Sequence, residues 1–129
     1  MQLTVKDVFD INQGLMDLAE KELPIGVAFN IQLTHRKITE EVKTAENLRN
    51  KIVQKYKEKD LKNGRVQLKE DKLDEFNKEM DELMKQKVNV NINKIKIHDL
   101  ESITVAPKTL GLIHTILEDG EENDWKHGN

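Results

Sequence analysis

The sequence has no cysteine, and that absence removes disulfide staples, thiolate zinc sites and thiol catalysis together. Aromatic residues are scarce as well: three Phe, one Tyr and one Trp leave little flat area for stacking on bases or sugars. No window approaches the ~18 consecutive apolar residues of a membrane-spanning helix. The opening MQLTVKDVF lacks the basic stretch and apolar run of a secretory signal. A soluble chain with no membrane partner is therefore expected, and the missing cysteine is compatible with a cytoplasmic setting.

Chemical signatures are missing too. There is no G-x-x-x-x-G-K-[ST], no G-x-G-x-x-G, no G-x-S-x-G and no H-E-x-x-H. The acidic end of the chain lacks the D-x-D-x-D-G spacing of a calcium loop. The expectation is a protein that is not an enzyme, with no catalytic residues, no cofactor, no metal and no small-molecule substrate.

What is present is a polar chain of 129 residues, 36% hydrophobic and 35% charged, with a mean hydropathy of −0.70. The length fits one domain with a modest core, and the composition suits helices that keep one wet face. The net charge of −3 points to no partner, but its placement is uneven. Residues 36–69 hold eleven Lys/Arg against five Asp/Glu, a balance of +6, while residues 70–85 hold seven acids against three bases, a balance of −4.

Thr4 and Asp7 have capping-box spacing, and Val8, Ile11, Leu15 and Leu18 follow at helical intervals. Gly14 inside that stripe costs about 1 kcal/mol relative to alanine. The helix should stop near Glu22 and Leu23, ahead of Pro24. Pro24 can open a second helix, which runs without internal proline to about Lys57. Along it Ala28, Ile31, His35, Ile38, Val42, Ala45, Arg49, Ile52 and Tyr56 step by three and four, a heptad seam broadened by Leu48 and Val53. At 1.5 Å per residue this helix is roughly 50 Å long. So short a chain is not expected to cover it, so part should project or pack on another molecule.

Asn63 and Gly64 both tolerate positive φ and mark a reversal, with a small hairpin predicted around DLKNGRVQL. A third helix from Asp71 places Leu73, Phe76, Met80 and Leu83 on one face. Folding back across the reversal sets this acidic helix antiparallel to the basic half of the second. Exposed pairs of that kind are worth a few tenths of a kcal/mol each, so they select register rather than supply stability.

In VNVNINKIKI, residues 88–97, Val88, Val90 and Ile92 share one parity and Ile95 and Ile97 the other. A continuous strand would split them between two faces. Either Asn93 and Lys94 form a two-residue turn, or a bulge restores the phase. Ile103, Thr104 and Val105 form a further strand candidate, and Pro107 starts a last helix with Leu110, Ile113 and Leu117 inward. The fold class expected is α+β and mainly α: a long antiparallel helical hairpin, a short β-hairpin or bulged ribbon, and a C-terminal helix, all in one domain over residues 1–118. Residues 119–129 read as a loose acidic tail, with Trp125 its only anchor.

Four histidines invite a metal-ligand or acid–base reading. His114 and Glu118, four apart on the expected last helix, supply two ligands at most, whereas zinc needs three or four. A surface pair beside an apolar stripe is the plainer reading. His98 and Asp99 suit a turn or helix cap better than a dyad, and His127 lies in the tail. A small hydrolase or nuclease using His98, Asp99, His114 or Glu118 is the least favoured alternative. His35 and Arg49 fall on the seam, where a polar residue can fix register or snorkel from its edge.

The order of LAEKELPIGVAF, the Asn-Gly reversal followed by KLDEFNKEMDELMKQKVNVNINKIKI, and SITVAPKTLGLI resembles a small domain-of-unknown-function family encoded in tailed-phage and prophage genomes. The likeness covers roughly residues 3–117 and rests on structural punctuation: the ELP break, the long helix, the short acidic helix and the A-P-x-T-L ending. It brings no catalytic residues. It implies phage or prophage origin, and with it the host cytoplasm or the virion as the place of action. The function expected is a non-enzymatic protein-interaction subunit, in virion assembly or as an accessory factor binding a host protein. Its interaction surface, for a partner or a second copy, would be the seam of Ile31, His35, Ile38, Val42, Ala45, Arg49, Ile52 and Tyr56. The alternative is a nucleic-acid-binding accessory protein using the basic patch of Lys51, Lys55 and Lys59.

Overall fold

The computed structural model describes residues 1–118, so the expected acidic tail lies outside the described residues. The fold is mainly helical α+β. Strand β1 (Gln2–Thr4) leads into helix α1 (Val5–Ala19), followed by the 32-residue helix α2 (Ile25–Tyr56). Strands β2 (Lys57–Asp60) and β3 (Val66–Leu68) form a hairpin, and α3 (Leu73–Met84) returns along α2. Strands β4 (Lys87–Asn89) and β5 (Ile95–Lys96), helix α4 (Pro107–Leu112) and strand β6 (Leu117–Glu118) complete it. No helix among the described residues is long and apolar enough to cross a membrane.

The punctuation read from the sequence operates as local chemistry. The Thr4 hydroxyl accepts from the Asp7 N–H at 3.0 Å, and the Asp7 carboxylate accepts from the Thr4 N–H at 3.0 Å, so two otherwise unpaired donors are satisfied. Helix α2 begins one residue after Pro24. Asn63 (φ 64°) and Gly64 (φ 74°) both adopt the left-handed conformation, and β2 pairs antiparallel with β3 around them, with a register shift between Lys57 and Lys59. The predicted hairpin is therefore present.

Helices α1 and α3 both run antiparallel to α2 and lie head to tail along it. Asn12 of α1 meets His35 of α2, while further down α2 Val5, Ala45 and Leu83 share a small cluster. From there α3 continues, with Leu83 near Ala45, Glu79 on Lys55 and Phe76 edge-on to Tyr56. Two short helices thus sheathe one long one. This corrects the expectation that so short a chain leaves the seam uncovered: Ile31, Ile38, Val42, Ala45 and Tyr56 are all buried within the lone chain.

The segment 88–97 also departs from both alternatives read from its alternation. It is neither a hairpin nor a bulged ribbon. Strand β4 pairs antiparallel with β1, Leu3 opposite Val88, and the ladder is extended by the Val90 N–H donating to the Met1 carbonyl at 2.9 Å. Strand β5 pairs parallel with β6 instead, Ile95 opposite Leu117. The phase break at Asn93 and Lys94 marks a passage between two separate two-stranded sheets. Residues 103–105 are not a strand, and the last helix ends at Leu112, so Leu117 lies in β6.

The main core gathers Val8, Ile11, Leu15 and Leu18 of α1 with Ile31, Ile38 and Val42 of α2 and Val90, Ile95, Leu100, Ile113 and Ile116 from the C-terminal part. Gly14 is where α1 and α4 cross. A methyl group added there would overlap the Ile113 side chain and press on Leu112 and the Thr109 carbonyl. One turn further, the Thr109 hydroxyl donates to Asp17 at 3.1 Å. The helix-propensity cost of this glycine is thus accepted for close packing.

Gly14→Ala should therefore lower stability in urea unfolding. Overpacking costs ~1–3 kcal/mol, which outweighs the ~1 kcal/mol gain in propensity. In an Ile113→Ala background, itself ~2–5 kcal/mol weaker, the penalty of Gly14→Ala should shrink. A stabilising Gly14→Ala in the otherwise unchanged chain would contradict the crossing.

Candidate functional site

The residues proposed as an interaction seam divide by surroundings. Ile31, Ile38, Val42, Ala45 and Tyr56 are interior, and His35, Arg49 and Ile52 are half-buried at its edges. The His35 ring nitrogen Nε2 pairs with Asn12 Oδ1 at 3.0 Å. The Arg49 guanidinium lies 4.9 Å from the centre of the Phe9 ring, a cation–π arrangement, and reaches Glu46 at 3.9 Å. Both polar seam residues thus tie α2 to other parts of its own chain or turn. The seam is core, and its premise as an uncovered docking stripe does not hold.

The basic patch is divided as well. Lys55 Nζ meets Glu79 Oε1 at 2.7 Å across the α2–α3 interface. Lys51 shares an open cleft of about 370 Å³ with Glu79 and Glu82, and Ile52 and Leu83 are its apolar lining. Lys59 sits apart, exposed on β2. Acid beside base is the arrangement foreseen for these two helices, and here it compensates much of the positive charge locally.

The candidate acid–base residues His98, Asp99, His114 and Glu118 do not converge. His98 Nδ1 lies 3.2 Å from Glu101 on an exposed turn. His114 is also exposed, with Nδ1 2.9 Å from the Gly111 carbonyl. His114 falls in a 3-10 turn and Glu118 in β6, so the pair expected on one helix face is not formed. Among the described residues no three or more His, Asp or Glu side chains gather to hold a metal ion.

A surface feature outside the seam stands at the start of α2. Ile25 is 87% exposed and Phe29 64% exposed, one turn apart on the same side of the helix. They step out of the seam's phase, and that was the available signal: two large apolar residues at i and i+4 that belong to no inward stripe. Leu48, 44% exposed, stands one turn before Ile52 toward the α2–α3 cleft.

Comparison with protein-family models, with curated proteins and with solved structures finds no match for this chain.

Hydrogen bonding from Lys55 holds the Glu79 carboxyl below its usual range, against the opposing effect of desolvation. The folded value is thus the depressed one. The pair's contribution is complete above the ordinary glutamate range and is lost as pH falls through the folded value. In carboxyl NMR titrations Glu79 should titrate below exposed glutamates, and Lys55→Met should move it upward. An identical titration with and without the Lys55 ammonium would refute the pairing.

Proposed function

We propose that this chain is a non-enzymatic protein-interaction subunit that docks through the start of α2, and that it is phage-encoded. It would serve virion assembly or act as an accessory factor on a host protein. The observation that carries the reading is the pair Ile25 and Phe29, large, apolar, one turn apart and largely in water. Singly exposed apolar residues are ordinary. Here two of them share one face at the head of a helix whose opposite face is already satisfied. Covering each is worth ~1.5–3 kcal/mol, a gain that the described chain leaves unused and a partner would collect. The phage assignment is supported by the order of helices, breaks and turns noted in the sequence.

The basic patch supports the nucleic-acid alternative less well, because Lys55 is occupied by Glu79 and Lys51 lies beside acids.

Affinity capture from cells carrying the phage tests this, with Ile25→Ser/Phe29→Ser as the control bait. The double variant should unfold at the same urea concentration to within ~0.5 kcal/mol, as surface changes do. It should bind the captured protein about 100-fold or more weakly, since ~1.4 kcal/mol is worth tenfold. Equal capture by both baits, or a captured nucleic acid whose binding falls steeply with salt, would refute the reading.

A further inference from the structure

The Asn63-Gly64 pair that turns β2 into β3 is the only Asn-Gly step in the sequence. Asparagine is chemically labile, most of all before glycine, where no side chain shields the following amide nitrogen. That nitrogen can attack the Asn63 Cγ. A new N–Cγ bond closes a succinimide ring, and the side-chain nitrogen leaves as ammonia with the proton given up by the Gly64 N–H. Water then opens the ring. Opening at Cγ leaves aspartate, and opening at the main-chain carbonyl leaves isoaspartate, whose chain runs through Cβ and Cγ. Both residues are exposed, and beyond its chain neighbours nothing lies within 4 Å of where a side chain on Gly64 would begin. Water therefore reaches the step freely.

The folded turn withholds the geometry. Ring closure needs the Gly64 nitrogen eclipsed with Cβ about the Cα–C bond of Asn63. In the left-handed conformation of Asn63, φ 64° and ψ 34°, that nitrogen points nearly opposite to Cβ. The Leu61 N–H, donating to the Arg65 carbonyl at 2.8 Å, and the pairing of Asp60 with Val66 hold the turn in this form. A two-stranded hairpin is marginal by itself, and a slow reaction from its open form runs in proportion to the open population. We propose that Asn63 is a self-modification site gated by the β2–β3 hairpin. Deamidation proceeds only while the hairpin is open, and isoaspartate, with its added main-chain carbon, keeps the strands from closing again in their register. Each event also sets a carboxylate between Lys62 and Arg65. The chemistry is independent of any partner at Ile25 and Phe29.

Incubating the full chain and a synthetic peptide of residues 59–70 at neutral pH tests this, with cleavage after glutamate and mass spectrometry as the readout. The fragment from Lys59 to Glu70 should gain the mass of an amide-to-acid change and resolve into aspartyl and isoaspartyl forms. Conversion in the folded chain should be several-fold slower than in the peptide. Urea too dilute to unfold the centre, as read by far-ultraviolet circular dichroism, should bring it toward the peptide's rate. In the separated isoaspartyl chain the Leu61 and Lys69 amides should exchange faster, with Ile38 and Val42 unchanged. A fragment still unconverted long after the peptide is exhausted overturns the site, and a mass gain that persists in Asn63→Gly overturns it by placing the change elsewhere. A folded-chain rate equal to the peptide's, or one that rises only where the centre unfolds, overturns the gate. Unaltered exchange at Leu61 and Lys69 overturns the effect on the hairpin.

Discussion

A helix of 32 residues with an apolar stripe along most of its length sets the terms for the rest of this chain. Isolated helices gain little from propensity alone, and tertiary cover of the stripe supplies most of their stability. Here the cover comes in two pieces. Helix α1 lies along the first part of α2 and α3 along the last, and they meet where Val5, Ala45 and Leu83 cluster. The junction is stitched by backbone: β1 immediately precedes α1, β4 follows α3 after Lys85 and Gln86, and the two strands pair. The Val5 N–H, donating to the Gln86 carbonyl at 2.9 Å, carries the pairing up to the first residue of α1. A two-stranded ribbon of three pairs has little stability of its own. Its effect is to hold two short helices in line, so that together they shelter what neither could shelter alone.

The cover is uneven in depth. Around Ile31, Ile38 and Val42 the stripe is backed by α1 and by a second layer from the C-terminal part, including Ile95, Ile113 and Ile116. Beyond Ala45 the stripe meets α3, and Phe9 of α1 lies against Arg49. Leu48 and Leu73 are exposed there, and Arg49 and Ile52 are half-open. Stability should follow the layers, with the α2–α3 end opening locally at lower free energy than the centre.

Much of this was legible in the sequence, and what was not shares one physical cause. The Thr4–Asp7 cap, the stop before Pro24, the Asn63-Gly64 turn and the acidic helix set against the basic one all depend on residues within a few positions of each other, or on charge across a single reversal. Residues 88–97 depend on partners far away in the chain. Val88 needs Leu3 and Ile95 needs Leu117. With strands of two or three residues, local alternation does not reveal such pairings. Gly14 looked like a weak point in a helix and is a crossing point, because the residue it makes room for is Ile113. The apolar stripe of α2 is readable from its spacing, but its length invites comparison with single helices. Spacing along α2 does not show that two helices in line, α1 and α3, shelter these interior residues. The exposed pair Ile25 and Phe29 is hard to read for the complementary reason: it lies outside the periodic pattern of α2.

Native-state hydrogen exchange along α2 tests most directly whether the chain shelters its own long helix. Amides around Ile38 and Val42 should exchange only through global unfolding, and their protection should be the same after a hundredfold dilution. Protection in that stretch that fades as copies are diluted apart would mean that a second molecule, and not α1 and α3, keeps the stripe dry.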